Sequence, residues 1–129
     1  MKVLNEIKDF LSQINVVSLF SGCGGLDLGF KKAGFNIIWA NDFDKYAVES
    51  YKHNIDKNII LGDINEISAE NIPKHDILIG GFPCQPFSMM GQELGFSDYR
   101  GTLFFKIIDI LKFHIENYDS PKVIVLENV

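Results

Sequence analysis

The sequence predicts an α/β domain over residues 1–129, built on a parallel sheet of about five strands flanked by helices. Three observations lead there. Short apolar, β-branched runs at 15–20, 36–40, 58–61, 76–79 and 122–126 alternate with stretches of helical spacing. The first run opens into Ser21-Gly22-Cys23-Gly24-Gly25 and then a helix, an arrangement that lets backbone approach a ligand closely. Three consecutive strand ends carry glycines and carboxylates, at Gly22-Cys23-Gly24-Gly25, at Asp42 and at Gly62-Asp63, which describes a ligand crevice along one edge of the sheet.

A chain of 129 residues can bury one core. No run approaches the length of a membrane span, and charged residues among the first thirteen argue against a signal peptide. The expectation is a cytoplasmic protein. Cys23 and Cys84 are far apart and form no C-x-x-C pair, so no metal is expected. His53, His75 and His114 are isolated in sequence and read as surface or helix residues. Net charge is −5, and Arg100 is the only arginine. That is not the footprint of a self-sufficient nucleic-acid binder.

In chain order, residues 3–11 place Val3, Leu4, Ile7, Phe10 and Leu11 at helical spacing, an amphipathic helix expected to serve packing. After the first strand and the glycine loop, residues 26–33 form a helix ended by Gly34. The dinucleotide pattern G-x-G-x-x-G, started at Gly22, would need glycine where Asp27 stands. A carboxylate there suits a pyrophosphate poorly and a ligand with an ammonium group better. Asp42 lies 20 residues beyond Gly22, where an acidic side chain can accept from ribose hydroxyls. Asp44 reads as the N-cap of a helix over 45–53. Phe43 could stack on a base or enter the core. Residues 65–72 are polar with room for one helical turn, closed by Pro73.

The fourth strand leads into Gly80-Gly81-Phe82-Pro83-Cys84-Gln85-Pro86-Phe87-Ser88. Two prolines fix the backbone around a cysteine and present it just past a strand end. Residues 85–100 show no regular period, as expected of a cover over an active-site nucleophile. The helix at 101–118 carries a stripe of Leu103, Phe104, Ile107, Ile108, Leu111 and Ile115, read as core. Residues 122–126 read as a buried fifth strand, followed by Glu127-Asn128-Val129. An α/β strand should be followed by a covering helix, so this ending suggests a truncated chain or one that waits for a partner.

In order and spacing, these motifs resemble the DNA (cytosine-5) methyltransferases of bacterial restriction–modification type. They are the 17–25 segment, Asn41-Asp42-Phe43-Asp44, Gly62-Asp63-Ile64, the Pro83-Cys84 segment, Arg100-Gly101-Thr102-Leu103 and Glu127-Asn128-Val129. The resemblance implies a Rossmann-like S-adenosylmethionine-dependent methyltransferase fold, strand order 3-2-1-4-5, incomplete at the C-terminus. It also implies S-adenosylmethionine as methyl donor and S-adenosylhomocysteine as product. Phe20 and Gly22, Cys23, Gly24 and Gly25 would line the adenosine and methionine site. Asp42 would hold the ribose, where the family often has glutamate. Phe43 would pack on adenine, Asp63 would bind its amino group with Ile64 beside it, and Pro83 would help close the pocket. Cys84 would be the nucleophile, and Glu127 would recognise and protonate cytosine at N3. The substrate would be double-stranded DNA with a flipped cytosine, and Gln85, Ser88 and Arg100 are candidate contacts to it.

The family's later motifs and target-recognition region do not appear, so the chain is expected to be inactive alone and to need a complementing C-terminal segment. Two alternatives are a transfer-RNA cytosine methyltransferase and a non-catalytic assembly subunit. A nicotinamide-binding module is disfavoured by Asp27.

Overall fold

The computed structural model describes residues 1–82 and 99–128, with side chains described up to 82 and from 103. Five parallel strands form one sheet in the order β3-β2-β1-β4-β5. They are β1 (Asn15–Leu19), β2 (Asn36–Asp42), β3 (Ile59–Leu61), β4 (Ile77–Gly81) and β5 (Val123–Glu127). The helices are α1 (Lys2–Ser12), α2 (Gly25–Ala33), α3 (Lys45–Asn54) and α4 (Tyr99–Tyr118). Two short 3₁₀ turns, Ile64–Glu66 and Ala69–Asn71, take the place of the single turn expected between Asn65 and Pro73.

Alternation along each strand divides the apolar residues between two layers. Val17, Leu19, Trp39 and Leu78 pack with Leu103, Ile107, Ile110 and Leu111 of α4. Val16, Ile37, Ile77 and Ile79 pack with Leu26, Phe30 and Phe35 in and after α2. Ala40 and Ile59 meet Val48 and Tyr51 of α3. A register shift between Val16 and Val17 on the β1–β2 ladder accompanies the division of Ile37 and Trp39, two residues apart, between the α2 and α4 layers.

The helix ends follow local chemistry. The Asp44 carboxylate accepts from the N–H of Tyr46 at 2.8 Å and Ala47 at 3.1 Å, the N-cap expected of it. Gly34 closes α2 in the left-handed conformation at φ 108°.

Four expectations require correction. No residue of α1 is buried, and Val3, Leu4, Ile7 and Phe10 are exposed, so its stripe does not pack as read. In α4 the buried face runs Leu103, Ile107, Ile110, Leu111, His114, while Ile108 and Ile115 are exposed. β5 pairs with β4 but lies at the sheet edge, where Val123 and Ile124 remain exposed rather than buried.

The fourth concerns His75, which is buried and lies in no helix; His53 in α3 and His114 in α4 are helix residues as expected. His75 and His114 are fully buried, with ring centroids 4.8 Å apart, while His53 is exposed. His75 Nδ1 bonds the Pro73 carbonyl at 2.8 Å, and His114 Nε2 bonds the Ala69 carbonyl at 3.0 Å. Their other ring nitrogens have no hydrogen-bond partner among the described residues. Burial lowers the pKa of both rings, with His114 adding to the effect at His75. Both are therefore neutral in the fold. A depressed histidine contributes stability that is full above its unfolded value, near 6.5, and is lost as pH falls below it. The unfolding free energy, read from urea denaturation from pH 7.5 to 5.5, should fall by up to about 1.4 kcal/mol per pH unit for each ring. His75→Gln should flatten the dependence.

Candidate active site

Parallel pairing brings all five strand C-termini to one edge, and β1 and β4 diverge there as the topological switch point. Phe20, just past β1, has φ 52°. A bulky side chain in the left-handed region is strained and is held by its surroundings. The Ser21 N–H that follows donates to the Asn41 carbonyl at 3.1 Å. Beyond it the loop turns through Gly22 at φ 56° and Gly24 at φ 92°. The loop is fastened to β2: the Gly22 N–H donates to Asp42 Oδ2 at 2.8 Å, and the Asp44 N–H donates to Oδ1 at 2.9 Å.

Phe20, Asn41, Asp42, Phe43, Gly62, Asp63, Ile64 and Leu103 line one cleft on this edge. It gathers five of the residues expected to hold a cofactor. Phe43 is 69% exposed, which removes the core alternative and leaves its ring at the cleft. Asp63 Oδ1 caps the turn after β3 by accepting the Asn65 N–H at 2.9 Å. Ile64 is buried in the wall. Cys23 is exposed on the loop.

Glu127 closes β5, in register with Gly81 at the end of β4. The two are close: a Cβ at Gly81 would stand in van der Waals contact, 3.4 Å from the Glu127 carboxylate oxygen Oε2. Asn128 Nδ2 donates to the Phe82 carbonyl at 3.3 Å. Glu127 is thus beside the segment that leads directly into Pro83 and Cys84. Pro83, Cys84, Gln85 and Ser88 lie outside the described residues, as does the Arg100 side chain; the Arg100 backbone is in the first turn of α4.

Asp27 is not where the sequence reading put it. Its side chain is 1% exposed and turned beneath the loop, so it cannot touch a ligand directly. Its carboxylate accepts from the Tyr51 hydroxyl at 2.6 Å and the Ser18 hydroxyl at 2.8 Å. Burial raises the Asp27 pKa, against the lowering effect of the Tyr51, Ser18 and backbone hydrogen bonds. Burial and that carboxylate push the Tyr51 phenol strongly upward, so it stays protonated.

Sequence reasoning also missed Asn41. It is buried, and its amide donates to the carbonyls of Ile60 at 2.9 Å and Gly62 at 3.0 Å. It pins the end of β3 to β2 and thereby sets Asp63 beside Asp42. The available signals were a polar residue inside each of two apolar runs, Ser18 in β1 and Asn41 in β2.

Comparison with known proteins bears on family and fold. The sequence profile described as "C-5 cytosine-specific DNA methylase" matches residues 14–129. The Type II methyltransferase M.NgoBI of Neisseria gonorrhoeae is 50% identical over 113 residues, covering 88% of this chain and 34% of the relative. M.HaeII of Haemophilus aegyptius is 47% identical over 119 residues, covering 92% of this chain and 36% of the relative. The chain thus spans about a third of the length of these curated relatives. Among solved structures, S. pombe Dnmt2 methyltransferase superposes with TM-score 0.72 at 27% identity, covering 91% of this chain and 36% of that one. A putative DNA modification methyltransferase from an E. coli prophage gives 0.71 at 30% identity, covering 91% and 32%. The fold is the Rossmann-like fold of S-adenosylmethionine-dependent methyltransferases, with the 3-2-1-4-5 order expected. By profile, relatives and fold together, the chain belongs to the C-5 cytosine-specific DNA methylase family.

Proposed function

We propose that the chain carries the cofactor-binding and catalytic part of an enzyme that methylates carbon 5 of cytosine in DNA, in restriction–modification. The observation that carries this reading is the sheet edge itself. A strained Phe20, two adjacent strand-end carboxylates and an exposed aromatic ring share one cleft, and Glu127 stands against the strand that delivers Cys84.

The residues present fit S-adenosylmethionine. Each Asp42 oxygen accepts one backbone N–H and keeps a further acceptor site for a ribose hydroxyl. Phe43 offers a face to adenine and Asp63 an acceptor to its amino group, with Ile64 as apolar wall. The loop Gly22-Cys23-Gly24-Gly25 and Phe20 would hold the amino-acid end, and Pro83 would close the pocket. Paired carboxylates suit a ligand without phosphates. When bound, the cofactor supplies an electrophilic methyl group.

The chain's own residues prepare the base. The Cys84 thiolate adds to carbon 6 of cytosine, while Glu127 neutralises charge at N3. The ring's aromaticity is broken and electron density is placed on carbon 5. Once carbon 5 is methylated, loss of its proton and departure of Cys84 restore the ring. A base inside a duplex is out of reach, so the substrate is double-stranded DNA with the cytosine flipped out. Gln85, Ser88 and Arg100 would contact the DNA. A net charge of −5 supplies little of the grip, which is assigned to a complementing segment such as the relatives carry. The chain alone is expected to be inactive.

Calorimetric titration with S-adenosylhomocysteine tests the cleft. Asp42→Ala should weaken binding roughly 10- to 100-fold, the worth of hydrogen bonds to a charged group. Equal affinities for both proteins would overturn the role of Asp42.

A further inference from the structure

The strand that carries Asp63 to the cleft is held by little apolar packing. β3 is three residues long and, among the described residues, lies at the sheet edge. Ile59 is buried, but Ile60 is 46% and Leu61 48% exposed. Burial therefore does little to fix where this strand ends. Polar bonds from β2 supply what packing does not. The Gly62 N–H donates to the Asp42 carbonyl at 3.0 Å, just past the strand. The Asn41 amide spends both its hydrogens on the same segment, on the carbonyls of Ile60 at 2.9 Å and Gly62 at 3.0 Å. Two carbonyl partners fix which way round the amide lies, since only its nitrogen can donate.

The Gly62 carbonyl belongs to the planar peptide that joins Gly62 to Asp63, so a bond to it sets the plane from which Asp63 departs. Beyond that plane, Asp63 Oδ1 accepts the Asn65 N–H at 2.9 Å. Asn41 also reaches the other side of the cleft, but through its backbone. Its carbonyl accepts the Ser21 N–H at 3.1 Å, next to Phe20. Side chain and backbone thus serve different neighbours, and a side-chain substitution releases β3 alone. Asn41, Gly62 and Asp63 all line the cleft.

We propose that Asn41 is a positioning residue for base specificity: by holding the Gly62–Asp63 peptide it aims the Asp63 carboxylate at the 6-amino group of adenine. The inference rests on the cofactor reading above. It adds the residue through which the cleft selects adenine over a purine without that group.

The test compares S-adenosylhomocysteine with its analogue carrying hydrogen in place of the 6-amino group, titrated calorimetrically into the chain. The wild type should prefer the amino ligand by about tenfold or more, the worth of a hydrogen bond to a charged group. Asn41→Leu is similar in size and removes both donated bonds. It should bring the preference close to one, chiefly by weakening the amino ligand. Asp63→Ala should do the same. Adding Asn41→Leu to it should weaken the amino ligand no further, because the two act through one contact. Asn41→Ser, too short to bridge both carbonyls, stands if Asn41→Leu fails to fold. A preference that survives substitution of Asn41, with both ligands weakened by one factor, would assign the residue to stability alone and overturn the proposal. So would additive losses in the double variant, or failure of both Asn41 variants to fold. A wild type that binds both ligands equally would overturn it with the cofactor reading intact. One that binds neither would overturn the cofactor reading and this inference with it.

Discussion

Cys84→Ser should lower methyl transfer to DNA by on the order of 10⁴-fold or more, measured with labelled S-adenosylmethionine. The assay supplies the chain with a polypeptide carrying the remaining C-terminal part of a relative such as M.NgoBI. A few per cent of an ordinary thiol is already ionised at neutral pH, whereas a serine hydroxyl is not, so the substitution removes the species that attacks carbon 6. The loss should fall on turnover, with affinity for S-adenosylhomocysteine unchanged, because the proposed cofactor contacts are given to Phe20, Asp42, Phe43 and Asp63 and the attack on carbon 6 to Cys84. Methyl transfer close to wild type would contradict the proposed chemistry.

The largest effect on stability is expected at Gly24. A Cβ there would lie 2.6 Å from Ile55 Cγ1 and 2.8 Å from Tyr51 Cδ2, and φ is 92°. The left-handed backbone costs roughly 1–2 kcal/mol with a side chain present, and overpacking against α3 adds roughly 1–3 kcal/mol. Gly24→Ala should therefore reduce unfolding free energy by about 3 kcal/mol, read from urea denaturation. Gly25→Ala is the matched control. A Cβ at Gly25 meets nothing within 4 Å, and the residue already has helical geometry. Its effect should be neutral or slightly stabilising. The contrast separates two adjacent loop glycines, one needed for packing and one needed only if ligand approaches.

The sheet edge that carries the cleft was legible because its signals are local. Strand-end glycines and carboxylates are read directly, and parallel pairing then places Phe20, Asp42, Phe43, Asp63 and Glu127 on one side without further information. The Asp44 cap and the Gly34 stop depend on side chain and φ at a single position, and they stand as expected. What was illegible depends on partners distant in sequence. His75 and His114 are 39 positions apart and look isolated, yet they meet where α4 crosses the start of β4. Asp27 was read only as a carboxylate suited to a ligand without phosphates, because periodicity cannot tell which wall of a loop a side chain enters. Tyr51, 24 residues away, is what turns it inward. The apolar content of β5 was read as burial, but burial of a strand depends on neighbours on both sides, and β5 has one among the described residues. The stripe of α1 is a real helical stripe; the pattern specifies the helix and not what covers it.

The most direct test is covalent capture. DNA carrying 5-fluorocytosine at the target blocks the proton loss that releases the enzyme, so the adduct should persist. With the complementing polypeptide and S-adenosylmethionine, mass spectrometry should find the modified base on the peptide containing Cys84, and no adduct with Cys84→Ser. Methyl transfer to ordinary DNA without any adduct on Cys84, or an adduct that survives Cys84→Ser, would contradict the account.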